Sequence, residues 1–402
     1  MTGSKRFATM LTVLASTLPL AAAAEGDIIP GTFQIPGTET TLKLYGHAEL
    51  NATYDFDGRN PDIDNNDWAS FVAVQPFDNI GGIEEQRKKH IYLTGRTSRL
   101  GLMTNTPTAL GPLTVKLEAD FNAPNPYQGE LTTNGTAFRL RHAYGQLGGL
   151  LIGQTWSTFL DLGSTPDTVD FNPAGALALT RQAMVRYTFS FGDASLALAV
   201  ENPRGLTFSS DYDAIPDFIG NFTYGGSWGH VSARAVAHEY RNVEHSKWAY
   251  GAGLSGSVKF ANETIVAAVQ AGDGIGRYMF NALLQGSFDT GDEIELWRSY
   301  GYHIGFTHAW TPQLRSNIIW TQTFFGENES LEAAQRRFAE EVAESTDFVP
   351  NRRIDQLFVN TFWSFVKNTE IGLEYTYGRR STFGPEVGIQ HRVNALARFT
   401  LY

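Results

Sequence analysis

From Leu42 to Phe56 the chain reads LKLYGHAELNATYDF. The even positions (Leu42, Leu44, Gly46, Ala48, Leu50, Ala52, Tyr54, Phe56) are apolar or small, and the odd ones carry polar groups. A period of two over this length predicts a strand with one face in an apolar medium and the other in a polar one. Strands of soluble domains run to about 5 or 6 residues. A strand this long, tilted by about 40°, crosses the roughly 25 Å apolar band of an outer-membrane barrel, with its even face in lipid and its odd face in a polar lumen.

The alternation recurs. It is clearest at Leu113 to Phe121, Ala183 to Phe191, Trp248 to Phe260, Tyr300 to Trp310, Ile371 to Tyr377 and Val393 to Leu401, and weaker around Ile91, Phe138, Leu150, Leu196, Phe218, Val231, Ile265, Leu314 and Phe358. These segments predict an all-β fold, a transmembrane antiparallel β-barrel of about 16 strands over residues 41–402. Short turns at Thr106 to Gly111, Gly148-Gly149, Phe191 to Ala194, Gly225 to Ser227, Phe260 to Asn262, Trp310 to Gln313 and Val366 to Thr369 have longer links between them. Short periplasmic turns and long external loops give this rhythm. Aromatics gather at segment ends, as at Tyr54 and Phe56, Trp248 and Tyr250, and Tyr375 and Tyr377, where interfacial girdles are expected.

Two links differ from the rest. Ser157 to Ala176 carries Asp161, Asp167 and Asp170 among Phe159, Leu160, Leu162 and Phe171. A loop so apolar is expected to fold inward and narrow the channel. Glu327 to Glu344 places Leu331, Ala334, Phe338 and Val342 at helical spacing, which predicts a short amphipathic helix in a late external loop.

Composition narrows the class. The 402 residues include no Cys, 40 Gly and 13% aromatics. No apolar run beyond the N-terminus approaches the roughly 18 residues of a membrane helix, and the lack of cysteine excludes thiolate metal sites, cysteine catalysis and disulfides. Lys5 and Arg6, a hydrophobic stretch from Phe7 to Leu20 and Ala22-Ala23-Ala24 read as a signal peptide over 1–24, cleaved before Glu25. A short periplasmic segment is expected over 25–40. Without the signal, 29 Lys+Arg face 42 Asp+Glu, a balance that argues against nucleic acid.

The candidate chemistry is charge facing the lumen. Phe138, Leu140 and Tyr144 share one face, so Arg139 and Arg141 are expected to share the other, since an arginine in lipid costs about 2 to 4 kcal/mol at the midplane. His142 then falls on the outer face. Similar parity turns Lys43, His47, Lys116, Arg186, Arg234, Arg315, Arg392 and Arg398 inward, and Arg99 joins the candidate pore residues. Cations near Arg139 would face the acids Asp161, Asp167 and Asp170 across the constriction, where the field orients a charged solute and arginines select anions. Guanidinium groups also bind carboxylates in a two-pronged geometry that lysine does not copy. The alternative is that these cations pair with lumen carboxylates such as Glu49, Glu118 and Asp120.

Other motifs carry little. Asp55, Asp57, Asp62, Asp64 and Asp67 crowd the first external link, but without the terminal glutamate of an EF-hand loop. Gly251-Ala252-Gly253 lies within a strand pattern. No catalytic, cofactor or metal residue is assigned.

Ser98-Arg99-Leu100-Gly101-Leu102 is similar to a stretch common in general porins. Phe33 to Thr38, Arg139 to Gly145, Leu151 to Phe159 and Pro166 to Phe171 resemble the DcaP-like family of trimeric outer-membrane porins. The resemblance implies a sixteen-stranded homotrimer with an inward third loop and a preference for small anionic solutes such as dicarboxylates. Its surroundings would be outer-membrane lipid and lipopolysaccharide. Two features depart from the family: residues 25–40 are too short and rich in Gly and Pro for the helical segment some members carry, and Tyr402 is out of phase with Phe399 and Leu401. Two function classes follow, a passive channel or a barrel enzyme of the phospholipase type. The enzyme needs a Ser within reach of an outward His, and His142 has no obvious Ser partner.

Overall fold

The computed structural model describes residues 31–57, 89–123, 137–171, 175–203, 213–282, 285–330, 332–333, 351–383 and 387–401. The first half of the chain forms β1 (Thr32–Gln34), β2 (Thr41–Asp57), β3 (His90–Thr94), β4 (Arg99–Thr106), β5 (Leu113–Ala123), β6 (Ala137–Leu147), β7 (Leu150–Trp156), β8 (Arg181–Phe191) and β9 (Ala194–Glu201). Then come β10 (Asp217–Gly226), β11 (Gly229–Arg241), β12 (Ser246–Phe260), β13 (Glu263–Asp273), β14 (Ser287–Asp289), β15 (Ile294–Leu296), β16 (Arg298–Thr311), β17 (Leu314–Phe325), β18 (Asn351–Trp363), β19 (Thr369–Thr382) and β20 (Val387–Thr400).

These strands close one barrel. β3 and β4 are a single wall strand interrupted at Gly95 to Ser98, since both pair with β2, through Asn51↔Thr94 and Tyr45↔Gly101. β14 and β15 form a separate hairpin. Counted so, the wall has sixteen strands, each antiparallel to the next, and the ring closes where β20 meets β2 at Glu49↔Arg398 and Thr53↔Asn394. Each of the sixteen segments read from the alternation lies in its own wall strand. β1 pairs with Thr41 to Lys43, and the Leu401 amide donates to the Gly46 carbonyl at 3.0 Å. The first and last strands thus lie end to end along one edge of β2, and the stretch 25–40 enters the sheet at Thr32–Gln34. The residues of the proposed export signal lie outside the described residues, as do Tyr402 and most of the acidic first link.

The faces follow the sequence pattern. Leu44, Leu50, Leu117, Leu140, Leu254 and Leu373 are exposed on the outer surface, whereas Glu49, Asn51, Thr53 and Asp55 on β2 are buried toward the lumen. Aromatic pairs mark both rims, Trp363 with Phe365 at the end of the short turns and Tyr300 stacked on Phe324 at the other.

Three expectations change. Between β5 and β6 the register shifts, pairing Glu118 with His142 and Ala119 with Leu140. This bulge leaves one residue unopposed, so two consecutive side chains of β6 turn inward and the parity reverses beyond them. His142 is buried in the lumen with its Nδ1 2.9 Å from the Thr155 hydroxyl, and Tyr144 faces inward opposite Lys116. Of the predicted helix in the late link, residues 329–330 and 332–333 are helical, with the Glu332 amide donating to the Asn328 carbonyl. The rest lies outside the described residues. The external links at 242–245 and 383–386 are short, so the alternation of link lengths is weaker than the sequence led us to expect.

Leu117→Arg puts a cation on the lipid face of β5 and is expected to cost about 2 to 4 kcal/mol if the site lies near the midplane. Thr114→Arg on the lumen face of the same strand should cost under about 1 kcal/mol. Urea titration of refolding into lipid vesicles checks the contrast.

Candidate pore constriction

The third external link, between β7 and β8, lies inside the barrel and follows the inner wall. Its path is fixed by polar groups the wall presents in turn. The Thr158 amide donates to Glu201 at 2.7 Å, Arg234 donates to the Phe159 carbonyl at 2.7 Å, and His303 Nε2 lies 2.9 Å from the Ser164 carbonyl. Asp161 accepts from the Ser255 hydroxyl at 2.6 Å and sits 2.7 Å from His230 Nε2. Burial works against its charge, but the bonds from His230 and Ser255 hold this carboxyl down at about 2.

Further along, Asp167 takes the Arg315 guanidinium at 2.7 Å. The Val169 and Asp170 amides both donate to the Glu374 carboxylate at 2.9 Å, and Asp170 lies 3.7 Å from Arg392. One residue on, the Phe171 ring rests 5.7 Å from both the Arg139 and Arg141 guanidinium carbons.

The three acids of this loop were expected to be open charges facing arginines across the channel. Instead each is tied to the wall behind it, Asp161 to β11 and β12, Asp167 to β17 and Asp170 to β20. Arg139 and Arg141 are paired as well. Arg139 grips Asp120 with two bonds, at 2.9 and 2.7 Å. Arg141 reaches Glu118 at 2.8 Å and Asp120 at 2.7 Å. The pairing alternative therefore describes these two arginines better than the open-charge reading. Two-pronged geometry of this kind fixes the side chains as well as their charge.

The neutralisation is incomplete. Glu118 also faces Arg99 and Lys116, each at 3.5 Å, so four cations share two carboxylates. Arg181 adds a fifth, its guanidinium carbon 3.6 Å from the Trp156 ring centre. Among the described residues Arg181, Arg186 and Lys43 form no hydrogen bond or ion pair. Arg186 is on the lumen face of β8, opposite the buried Leu151, and Lys43 is on that of β2 opposite Met103. The wall from β2 to β8 thus carries the excess positive charge. On the other side a chain of ion pairs runs from Asp167 through Arg315, Glu370 and Arg398 to Glu49. The break between β3 and β4 brings the Thr97 hydroxyl to the same Glu49 at 2.6 Å.

A second link fills the lumen, and sequence reasoning missed it. Residues 274–297 fold inward, and Ile275, Tyr278, Met279 and Trp297 bury against Phe159 and Leu177 of the third link. The wall answers with apolar inward residues, Ile219, Val236, Ile319 and Phe358. The Tyr278 hydroxyl donates to Asp217, locking this plug to β10. The signal was the one used for the third link, an external segment too apolar for water. The turn inward is made at Gly274, which has φ +77°, where an added Cβ would lie 2.7 Å from that of Ala249. His238 and Tyr240 both bond its carbonyl, at 3.0 and 2.7 Å.

A closed sixteen-stranded barrel with charged inner walls and an inward third loop defines a transmembrane channel of the outer-membrane porin type. Residues 32–401 match the model of the DcaP outer membrane protein family, and the chain belongs to that family. The outer membrane channel DcaP of Acinetobacter baumannii superposes with a TM-score of 0.75 at 23% identity, over 92% of this chain and 99% of that one. An anion-selective porin from Comamonas acidovorans gives 0.58 at 13% identity, over 90% and 100%. Porin Omp2b of Brucella canis is 28% identical over 224 residues, 52% of this chain and 54% of that protein. The chain spans about half the length of the curated relatives it matches. These matches are porins and channels, so the barrel-enzyme alternative is set aside.

Glu118→Gln removes the charge shared by three cations. It should cost about 1.5 to 3 kcal/mol in urea unfolding and increase anion preference in a reversal-potential measurement. Gly274→Val strains a left-handed backbone and crowds Ala249. It is expected to loosen the plug, giving larger single-channel conductance in a planar bilayer with the barrel still resistant to detergent.

Proposed function

We propose that the protein is a passive outer-membrane channel for small anionic solutes such as dicarboxylates, assembled as a homotrimer after removal of its signal peptide. One observation carries the anionic reading: four cations share two carboxylates on β4, β5 and β6, while Arg181, Arg186 and Lys43 add positive charge with no hydrogen bond or ion pair among the described residues. The apolar plug of the third link and the link from Gly274 to Trp297 fills the β10 to β18 side, so the solute path runs beside the cationic wall. Rings of arginine favour anions by this means, and field lines concentrate in a narrow polar gap between low-dielectric walls. Glu118 and Asp120 hold the arginines in fixed geometry, and the surplus charge attracts the solute. Arg139, Arg141, Arg186, Lys43, Lys116 and Arg99 are the residues proposed to meet it. Asp161, Asp167 and Asp170 act by anchoring the loop that sets the width.

Replacing Arg139 and Arg141 together by Ser strips Asp120 of both its cations and leaves Glu118 with Arg99 and Lys116. The anion-to-cation permeability ratio should fall toward or below one, while succinate ceases to slow chloride current. Arg181→Ser with Arg186→Ser removes surplus charge without breaking an ion pair and should lower the ratio less. An unchanged ratio in both variants, with intact folding, would sink the reading.

A further inference from the structure

The outer surface carries charge of its own near the external rim. On β18 the inward residues are Ile354, Phe358 and Phe362, so Arg353 and Asp355 face out. Register agrees, pairing Arg353 with Phe324 and, one strand on, Phe324 with the exposed Tyr300. Arg379 on β19 lies opposite Asp355 on one side and Ile389 on the other, on the same outer face. Charge facing lipid at mid-depth would be costly, so the height matters. From Trp363 in the lower girdle to Arg353 is ten residue steps. At about 3.3 Å per residue and a tilt of about 40° this is roughly 25 Å, one full apolar band, which puts both arginines at the external headgroup level.

Elsewhere near this rim, two outward-facing arginines each grip a carboxylate. Arg298 takes Asp273, and Arg241 takes Glu239, each with two bonds. Here two guanidinium groups share Asp355. Arg353 donates through Nε at 2.7 Å, and Arg379 stands 3.7 Å away. Gln322 donates to the same carboxylate at 2.7 Å, leaving it saturated. The Nη groups of Arg353 form no hydrogen bond among the described residues, and about two-fifths of each arginine side chain is exposed. A cleft of about 550 Å³ opens beside them, floored by Phe324 and Tyr300 and bordered by Arg352, which is paired with Glu327 of the same lining at 3.3 Å, so the cationic side of the cleft is that of Arg353 and Arg379. Arg353 stacks over Phe324, its guanidinium carbon 5.2 Å from the ring centre, which holds the fork in place. Below lies an apolar surface of exposed Ile318, Val359 and Leu373.

We infer that this cleft binds a phosphorylated glycolipid of the outer leaflet, with Arg353 and Arg379 bridging one phosphate and Ile318, Val359 and Leu373 receiving acyl chains. Fixed guanidinium pairs match phosphate oxygens two by two, and only an amphipathic anion satisfies the cationic rim and the apolar wall together. The inference rests on the outer-membrane reading and is separable from anion selectivity, because these residues face away from the lumen.

The test uses the full-length barrel in detergent, with lipid A bisphosphate, its dephosphorylated form and inorganic phosphate as probes, read by native mass spectrometry. The bisphosphate should bind the wild type, and R353A/R379A should weaken it at least about tenfold, as expected for loss of charge-assisted bonds. Conductance of the same variant should be unchanged. If the double variant fails to fold, R379Q alone should still weaken binding. Equal binding of the dephosphorylated lipid, or phosphate competing at equal concentration, would overturn the proposal. So would disulfide linkage of two copies through S381C, the single cysteine of that variant, because a second copy would then cover the cleft.

Discussion

A sheet in lipid can leave no backbone amide or carbonyl unpaired, because water is not there to take it. The chain meets that demand by bending its sheet until β20 reaches β2, and the other features follow from the closure. A closed ring has an outside and an inside, so a period of two sorts residues into lipid and lumen. The lumen must then accept charges in a space too narrow to hydrate them freely, so they pair across strands. Glu118, Asp120 and Glu49 each satisfy two or more cations or donors drawn from neighbouring segments of the wall. The third link and the link from Gly274 to Trp297, lacking an edge to extend, fold into the tube.

Much of this was legible because the constraint acts on sequence directly. The even and odd faces of β2 and β5 could be assigned residue by residue. The segments read as weaker, around Phe218, Val231 and Phe358, are weak for a physical reason. β10, β11 and β18 carry Ile219, Val236 and Phe358 on their inner faces to receive the plug, which blurs the alternation. His142 was misplaced because parity was carried through a bulge, and a bulge leaves no mark in a period-two pattern.

The pairing of Arg139 and Arg141 was illegible for another reason. Their partners lie about twenty positions earlier in the chain, and only the register of β5 against β6 brings them opposite. Glu118 and Asp120 were recognisable as lumen carboxylates, but not as the shared counter-ions of a particular cluster. The inward fold of residues 274–297 was within reach, since its apolar content matches that of the third link. Surplus positive charge along one side of the lumen is the feature that no single-residue reading supplies.

The third link has a mechanical consequence. A tube held together by hoop-wise hydrogen bonds alone can flatten into an oval without breaking any of them, because bending costs little where strands meet. The link is fastened to β11 and β12 near its start, to β17 and β19 midway, and rests on β6 at Phe171. It therefore acts as a tie between strands that are not neighbours in the wall. Lateral pressure from the bilayer that would squeeze the barrel must stretch or buckle this tie, so the cross-section is set by a loop that touches no lipid.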